Sequence, residues 1–334
     1  MEKSTHSVEW KYPMNPSTAR GMPLHLAVNS KSDRIGYPSQ ETAVLRSVQS
    51  PESFTGFEGH AKVVTALWCS PSNDKVMSGD ETGRVVLWNA DHPTLLVSWD
   101  LQGLPGAIRD GGFNQEADKA CFVGDVAGAV CGKIVSVNMK KTDGDLKGHS
   151  MRALSCAFKP NRPYKILTGS EDNSMNLFSL PGWNLVKASK QHKGFVNCVR
   201  ISPDGTHFVS VGADKSVQIG SVESGEIVKA IEGAHDGSVY SIAWFEDSAR
   251  FATCSADKTV KIWSVDGNCL SVLSVSQSPT VEDMQLGVAK LKGFLVSVSL
   301  CGTINVWEEK SLGVKEVAKP DRQIFGHNVG VINE

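Results

Sequence analysis

The sequence predicts an all-β fold, a seven-bladed β-propeller of four-stranded antiparallel blades, and two observations predict it. First, histidine recurs in a Gly-His or similar dipeptide in "EGHAKVV" (His60), "KGHSMRA" (His149), "KQHKGFV" (His192), "GAHDGSV" (His235) and "FGHNVGV" (His327). The steps are 89, 43, 43 and 92 residues, which one period of about 43–46 explains if an unmarked unit lies in each long gap. Second, short runs of Val, Ile, Phe and Thr alternate with Gly, Asp, Asn and Pro clusters, as in "SPDGTHFVSVGADKSVQIGSVESGEIVKAI". No stretch holds a helical period.

The units can be read in order. "LHLAVNSKSDRIGYPSQETAVLRSV" supplies the first set of strands, and the His60 segment opens the second. "GAIRDGGFNQEADKACFVGD" is the unmarked third unit; His149, His192 and His235 open the fourth to sixth. "LGVAKLKGFLVSVSLCGTINVW" is the unmarked seventh. Sheets this small cannot bury their own faces, so they are expected to pack radially around an axis. The expected organisation is an N-terminal extension over 1–21, a propeller over 22–325, and the truncated start of a further repeat over 326–334.

Composition limits the function classes. Of 334 residues, 40% are apolar and 21% charged, with a net charge of −2, ordinary for a globular chain. No basic run exceeds Lys140-Lys141, so nucleic acid and anionic membranes are not expected partners. "MEKSTHSVEW" lacks an apolar core, which predicts no secretory signal and a soluble, cytoplasmic protein. Eight scattered cysteines with no CxxC pair read as reduced, buried thiols, and neither metal nor cofactor is expected.

"SADKTVKIW" places Asp257 six residues before Trp263, with His235 and Ser241 upstream. Serine, histidine and aspartate suggest a catalytic triad, yet the constellation repeats with substitutions no triad tolerates. His149, Ser155, Asp172 and Phe178 keep it with Phe for Trp; His192 and Asp214 keep it with Cys198 and Gly220. His60 and Trp88 keep it with Ala66 and Thr82. No nucleophile elbow, Walker loop, GxGxxG or HExxH accompanies it. The chain is therefore read as a non-enzymatic binding module.

The period, the Gly-His start and the Trp end resemble the WD40 family, and "GAHDGSVYSIAWFEDSARFATCSADKTVKIWSVD" (233–266) is a close match to its repeat. That resemblance implies a hydrogen-bond chain from the loop histidine through the serine to the indole N–H, with the turn aspartate fixing the imidazole. In this reading the four side chains are scaffold.

A narrower resemblance rests on "MNPSTARGMPLHLAVNSKSDRIGYPSQETAVLRSV" (14–48), "GDETGRVVLW" (79–88), "KPNRPYKILTGSEDNSMNLF" (159–178), "HKGFVNCVRISPDG" (192–205) and "MQLGVAKLKGFLVSVSLCGTINVWE" (284–308). Together these are similar to the actin-interacting protein 1 family, which disassembles actin filaments with ADF/cofilin. The family has two propellers, so this chain is either a fragment or a one-propeller relative, and the way its ring closes is open.

The family resemblance implies actin- and cofilin-binding residues, carried over by motif. They are Asp125 in "VGDVAG", Glu171 in "SEDN", Trp183 and Leu185 in "PGWNL", and Phe195 in "HKGFV". The acids would meet a basic partner surface and the apolar groups would anchor the contact. Glu171→Lys with Phe195→Ala is expected to abolish binding and leave thermal stability nearly unchanged. Set against this reading is a generic propeller scaffold that recruits partners to a larger assembly.

Overall fold

Seven four-stranded antiparallel sheets, spanning 27–57, 64–102, 108–146, 153–189, 196–231, 239–274 and 285–324, form blades 1 to 7. The computed structural model describes residues 14–29, 33–72, 74–93, 97–126, 130–180, 182–312 and 319–326. His327 and most of the 326–334 repeat start lie outside the described residues. Among those described, the helical segments are two single 3-10 turns, Val281–Asp283 and Glu309–Ser311. The seven blades and the all-β class match the fold read from the sequence.

Every ladder joins strands consecutive in the chain. The first strand of each blade lines the axis and packs on its counterparts, Ala153–Phe158 against Val196–Ile201 for example. The antiparallel order puts the loop entering the first strand and the turn between second and third strands at one end of each blade. We call that end the entry rim. The first-to-second and third-to-fourth turns share the opposite rim.

Four of the turns on the entry rim, in blades 2, 4, 5 and 6, form because of their aspartates. Asp80, Asp172, Asp214 and Asp257 each accept the N–H two residues on, at 2.9, 3.0, 3.2 and 3.0 Å. An aspartate carboxylate mimics the backbone acceptor of a turn in this way. The following Asn173, Lys215 and Lys258 take left-handed φ of 66°, 66° and 74°, and the strand reverses.

Among the described residues the ring closes without exchanging a strand. The N–H of Leu24, ahead of blade 1, donates to Leu286 O in blade 7 at 2.9 Å. Gly287 permits that approach, because a Cβ there would stand 2.5 Å from Leu24 O. An apolar cluster spans the junction, with Ile35, Tyr37, Phe245, Leu286, Leu295 and Val306 all buried. The seam is held by side-chain packing where other pairs of blades are continuous in sequence.

Candidate functional site

His60, His149, His192 and His235 sit in loops entering the first strands, and each reaches the entry-rim aspartate of its blade. His235 Nδ1 lies 2.7 Å from Asp257 Oδ2 and Nε2 lies 2.8 Å from Thr253 Oγ1, to which Trp263 Nε1 donates at 2.8 Å. Blade 2 repeats this in full with His60, Asp80, Ser78 and Trp88 at 2.7–3.0 Å. Blade 4 joins His149 to Asp172 and Thr168; blade 5 joins His192 to Asp214 and Ser210.

A neutral imidazole satisfies the full chain. The indole can only donate, so the threonine hydroxyl accepts from it and has its own proton to give to imidazole Nε2. The imidazole is then neutral, with its Nδ1–H on the aspartate. Burial pushes the His149 and His235 imidazoles below their ordinary value, against the pull of their aspartates. Burial also opposes ionisation of Asp257 and Asp214, yet their hydrogen bonds to histidine hold both carboxyls well below the usual range.

The hydroxyl assigned from sequence is corrected by the strand register. Ser241 is paired with Cys254, whereas Thr253 is paired with Ile242 and Lys261. Cross-strand partners share a face and successive residues alternate, so Thr253 and Trp263 stand on one face and Ser241 on the other. The same shift replaces Ser155 by Thr168, Cys198 by Ser210, and Ala66 by Ser78. In blade 2 the aspartate is Asp80, and Thr82 only donates to it, at 2.6 Å. A Ser or Thr ten residues before each tryptophan was the missed signal. Blade 7 carries the amide form: Gln285 bonds Ser299 and Ser297 at 3.0 and 2.5 Å.

Ser155 belongs to a polar cluster on the axis. Its hydroxyl donates to Asp110 Oδ2 at 2.7 Å and accepts from Arg200 Nη1 at 2.9 Å. Arg200 also reaches Asp110 directly at 2.7 Å. Burial disfavours the Asp110 carboxylate, but Arg200 and His25 hold its pKa below the usual range. Blades 3, 4 and 5 are tied together at this point.

Three of the five candidate contact residues lie on the entry rim. Asp125 follows the second strand of blade 3 and pairs with Arg109 (Nε–Oδ1 2.7 Å). Arg152 of blade 4 reaches Asp125 at 3.6 Å and Glu171 at 2.6 Å. Phe195 enters blade 5 and is 44% exposed, next to Val196, which packs on Gly169 near Glu171. The arc Asp125, Arg152, Glu171, Phe195 thus crosses three blades. Glu171 is buried, so Glu171→Lys is not the stability-neutral change expected from sequence: it would set a lysine against Arg152.

Trp183 and Leu185 are elsewhere. Trp183 lies in the third-to-fourth turn of blade 4, on the opposite rim, and is 4% exposed. Its ring meets Phe158 edge-on at 5.6 Å and Nε1 donates to Asp143 of blade 3 at 3.4 Å. Leu185 is exposed on the outer strand Asn184–Ser189. The "NRPYK" segment shares that opposite rim, where Arg162 pairs with Glu116 at 2.9 Å and Asn161 Nδ2 donates to Asp204 O at 2.7 Å. Those unusual motifs staple neighbouring blades.

Seven sheets in a ring and a recurring His–Asp–hydroxyl–Trp chain define a WD40-repeat β-propeller, and the WD domain, G-beta repeat family matches residues 51–89, 140–179, 183–219 and 225–264. More specifically, the chain is similar to proteins named WD repeat-containing protein 1 and actin-interacting protein 1. It is 32% identical to WD repeat-containing protein 1 of Rattus norvegicus over 319 residues, 95% of this chain and 51% of that protein. Identity to actin-interacting protein 1-2 of Arabidopsis thaliana is 34% over 323 residues, 95% of this chain and 52% of that one. For actin-interacting protein 1 of Drosophila melanogaster it is 31% over 318 residues, with coverages of 95% and 51%. The chain spans about half the length of these curated relatives.

Proposed function

We propose that this propeller binds actin filaments through its entry rim and promotes their disassembly with ADF/cofilin, as a non-enzymatic factor at the cytoplasmic actin cytoskeleton. The observation that carries the reading is Phe195, a large apolar side chain left 44% exposed beside a tightly paired acid–base arc. An exposed aromatic on a rigid, polar-rimmed surface has the form of an interface anchor. The likeness to proteins named for interacting with actin supports the choice of partner. Asp125 and Glu171 are proposed to set the rim's geometry and field through Arg109 and Arg152, with Phe195 making the apolar contact. Trp183 has a packing role in this proposal, and Leu185 is a peripheral surface residue.

The test is co-sedimentation of the chain with actin filaments, with and without cofilin, scoring pelleted chain and released actin separately. Pelleting enhanced by cofilin and lost in Phe195→Ala is the expected result. A folded chain that never pellets would favour the generic scaffold. Pelleting that is indifferent to Phe195→Ala would move the contact off this rim.

A further inference from the structure

The seam between blades 1 and 7 holds a buried charge with an unfilled bond. Arg46, on the strand Thr42–Ser47, is 1% exposed. Its Nε donates to Pro51 O at 2.8 Å, and Nη2 crosses the seam to Phe325 O at 3.0 Å. Nη1 is buried with no well-formed hydrogen bond among the described residues, although the Tyr37 hydroxyl lies close enough to the guanidinium to interact with it. A guanidinium stays charged at any ordinary pH, and a buried charge needs an opposite one or a full set of hydrogen bonds. Two carbonyls and a neutral hydroxyl bring no opposite charge.

Arg46 lines a cavity of about 350 Å³ together with Pro51, Arg322, Gln323, Ile324 and Phe325. Arg322 brings a second guanidinium, which donates to Gln49 O at 3.2 Å and faces the Phe294 ring at 5.9 Å. Among the described residues no carboxylate lines this cavity. Asp321 and Glu308 share a separate neighbouring cavity with Arg322, and the Asp321 carboxylate is engaged by the Glu308 N–H at 2.7 Å and the Ser311 hydroxyl at 3.2 Å.

We propose that the seam cavity is a binding site for a small organic oxyanion, a phosphate or carboxylate gripped between Arg46 and Arg322. Two guanidiniums present forked N–H donors suited to such oxygens. Pro51, Ile324 and Phe325 give an apolar wall, and the volume accommodates more than the anionic group alone. Because the two arginines belong to the first and last blades, the ligand binds only a closed ring and stabilises closure by linkage.

Calorimetry and thermal melting of the whole chain with phenyl phosphate and with benzoate, at fixed ionic strength, test this. Saturable binding with a rise in melting temperature of about 2 °C or more is expected for at least one probe. Preference for phenyl phosphate assigns a phosphoryl ligand, and preference for benzoate a carboxylate. Arg322→Gln, at the partly exposed end of the cavity, should weaken binding at least about tenfold while the loss of its Gln49 and Phe294 contacts lowers the ligand-free melting temperature by only about 1–3 °C. Arg46→Lys keeps the charge, loses the fork, and should weaken it too. Absence of saturable binding by either probe overturns the proposal, as does binding that neither substitution alters.

Discussion

His235 Nε2 and Trp263 Nε1 converge on one hydroxyl, Thr253 Oγ1, each at 2.8 Å. One atom thus ties the entry loop of blade 6 to its second and third strands. Removing it strands two buried polar groups at once, and unsatisfied groups cost roughly 1–3 kcal/mol each. Thr253→Val should therefore lower stability by about 2–4 kcal/mol, while Ser241→Ala leaves the chain of bonds whole and should cost under about 1 kcal/mol. Urea titration of both variants separates these outcomes, and equal losses would refute the register argument.

Acid should dissolve these chains in order. The folded imidazoles of His149 and His235 are depressed, so the unfolded state binds more protons once pH falls below about 6.5. Stability from each histidine is present above that value and declines on acidification, by at most about 1.4 kcal/mol per pH unit per group. Asp80, Asp172, Asp214 and Asp257 are depressed as well, adding a second loss below about pH 3.9. Melting temperatures from pH 7.5 to 3 should fall in two stages. A flat profile down to pH 4.5 would contradict the neutral-imidazole assignment.

The two acid–aromatic candidates should part company. Phe195→Ala removes an exposed ring and should shift the melting temperature by no more than about 1–2 °C. Glu171→Lys leaves Arg152 and Asp125 with a misplaced cation in a buried position and should cost about 2–4 kcal/mol. Thermal denaturation of the single variants, before any filament assay, distinguishes a contact residue from a structural one.

Trp183→Ala should lose about 3–5 kcal/mol through the cavity left against Phe158. Leu185→Ala, on the exposed outer strand, should lose less than about 1 kcal/mol. If Trp183→Phe keeps both the fold and filament binding in co-sedimentation, the indole serves packing alone; selective loss of binding would return it to the contact surface.

Gly287→Ala places a methyl 2.5 Å from Leu24 O. The seam must then open, and a loss of about 1–3 kcal/mol is expected. Hydrogen exchange should locate it at residues 24–27 and 285–288, with blades 3 to 5 unaffected.

The ring, its sevenfold count, the four histidines and the aspartates of blades 4 to 6 were legible because they follow period and turn chemistry. The hydroxyl was not: Ser241 and Thr253 both fit the spacing, and the choice depends on which face of the blade each occupies, set by a register shift between Val239 and Ser241. Asp80 was missed because "GDETG" lacks the Asp-Lys or Asp-Asn pair that marks the other turns. Motif likeness could name Asp125, Glu171 and Phe195, yet their linkage through Arg152 is a three-dimensional fact. Trp183 and "NRPYK" looked like recognition features because packing between blades leaves no periodic trace.

Every hydrogen-bonded strand pair in the ring joins neighbours in sequence, and this bears on how the protein is made. A growing polypeptide can finish one sheet before the next has been synthesised, with no strand waiting for a distant mate. The contacts that need the last sheet are those of the seam, Leu24 with Leu286, Arg46 with Phe325 and Arg322 with Gln49, so closure of the ring depends on the sheet that is synthesised last.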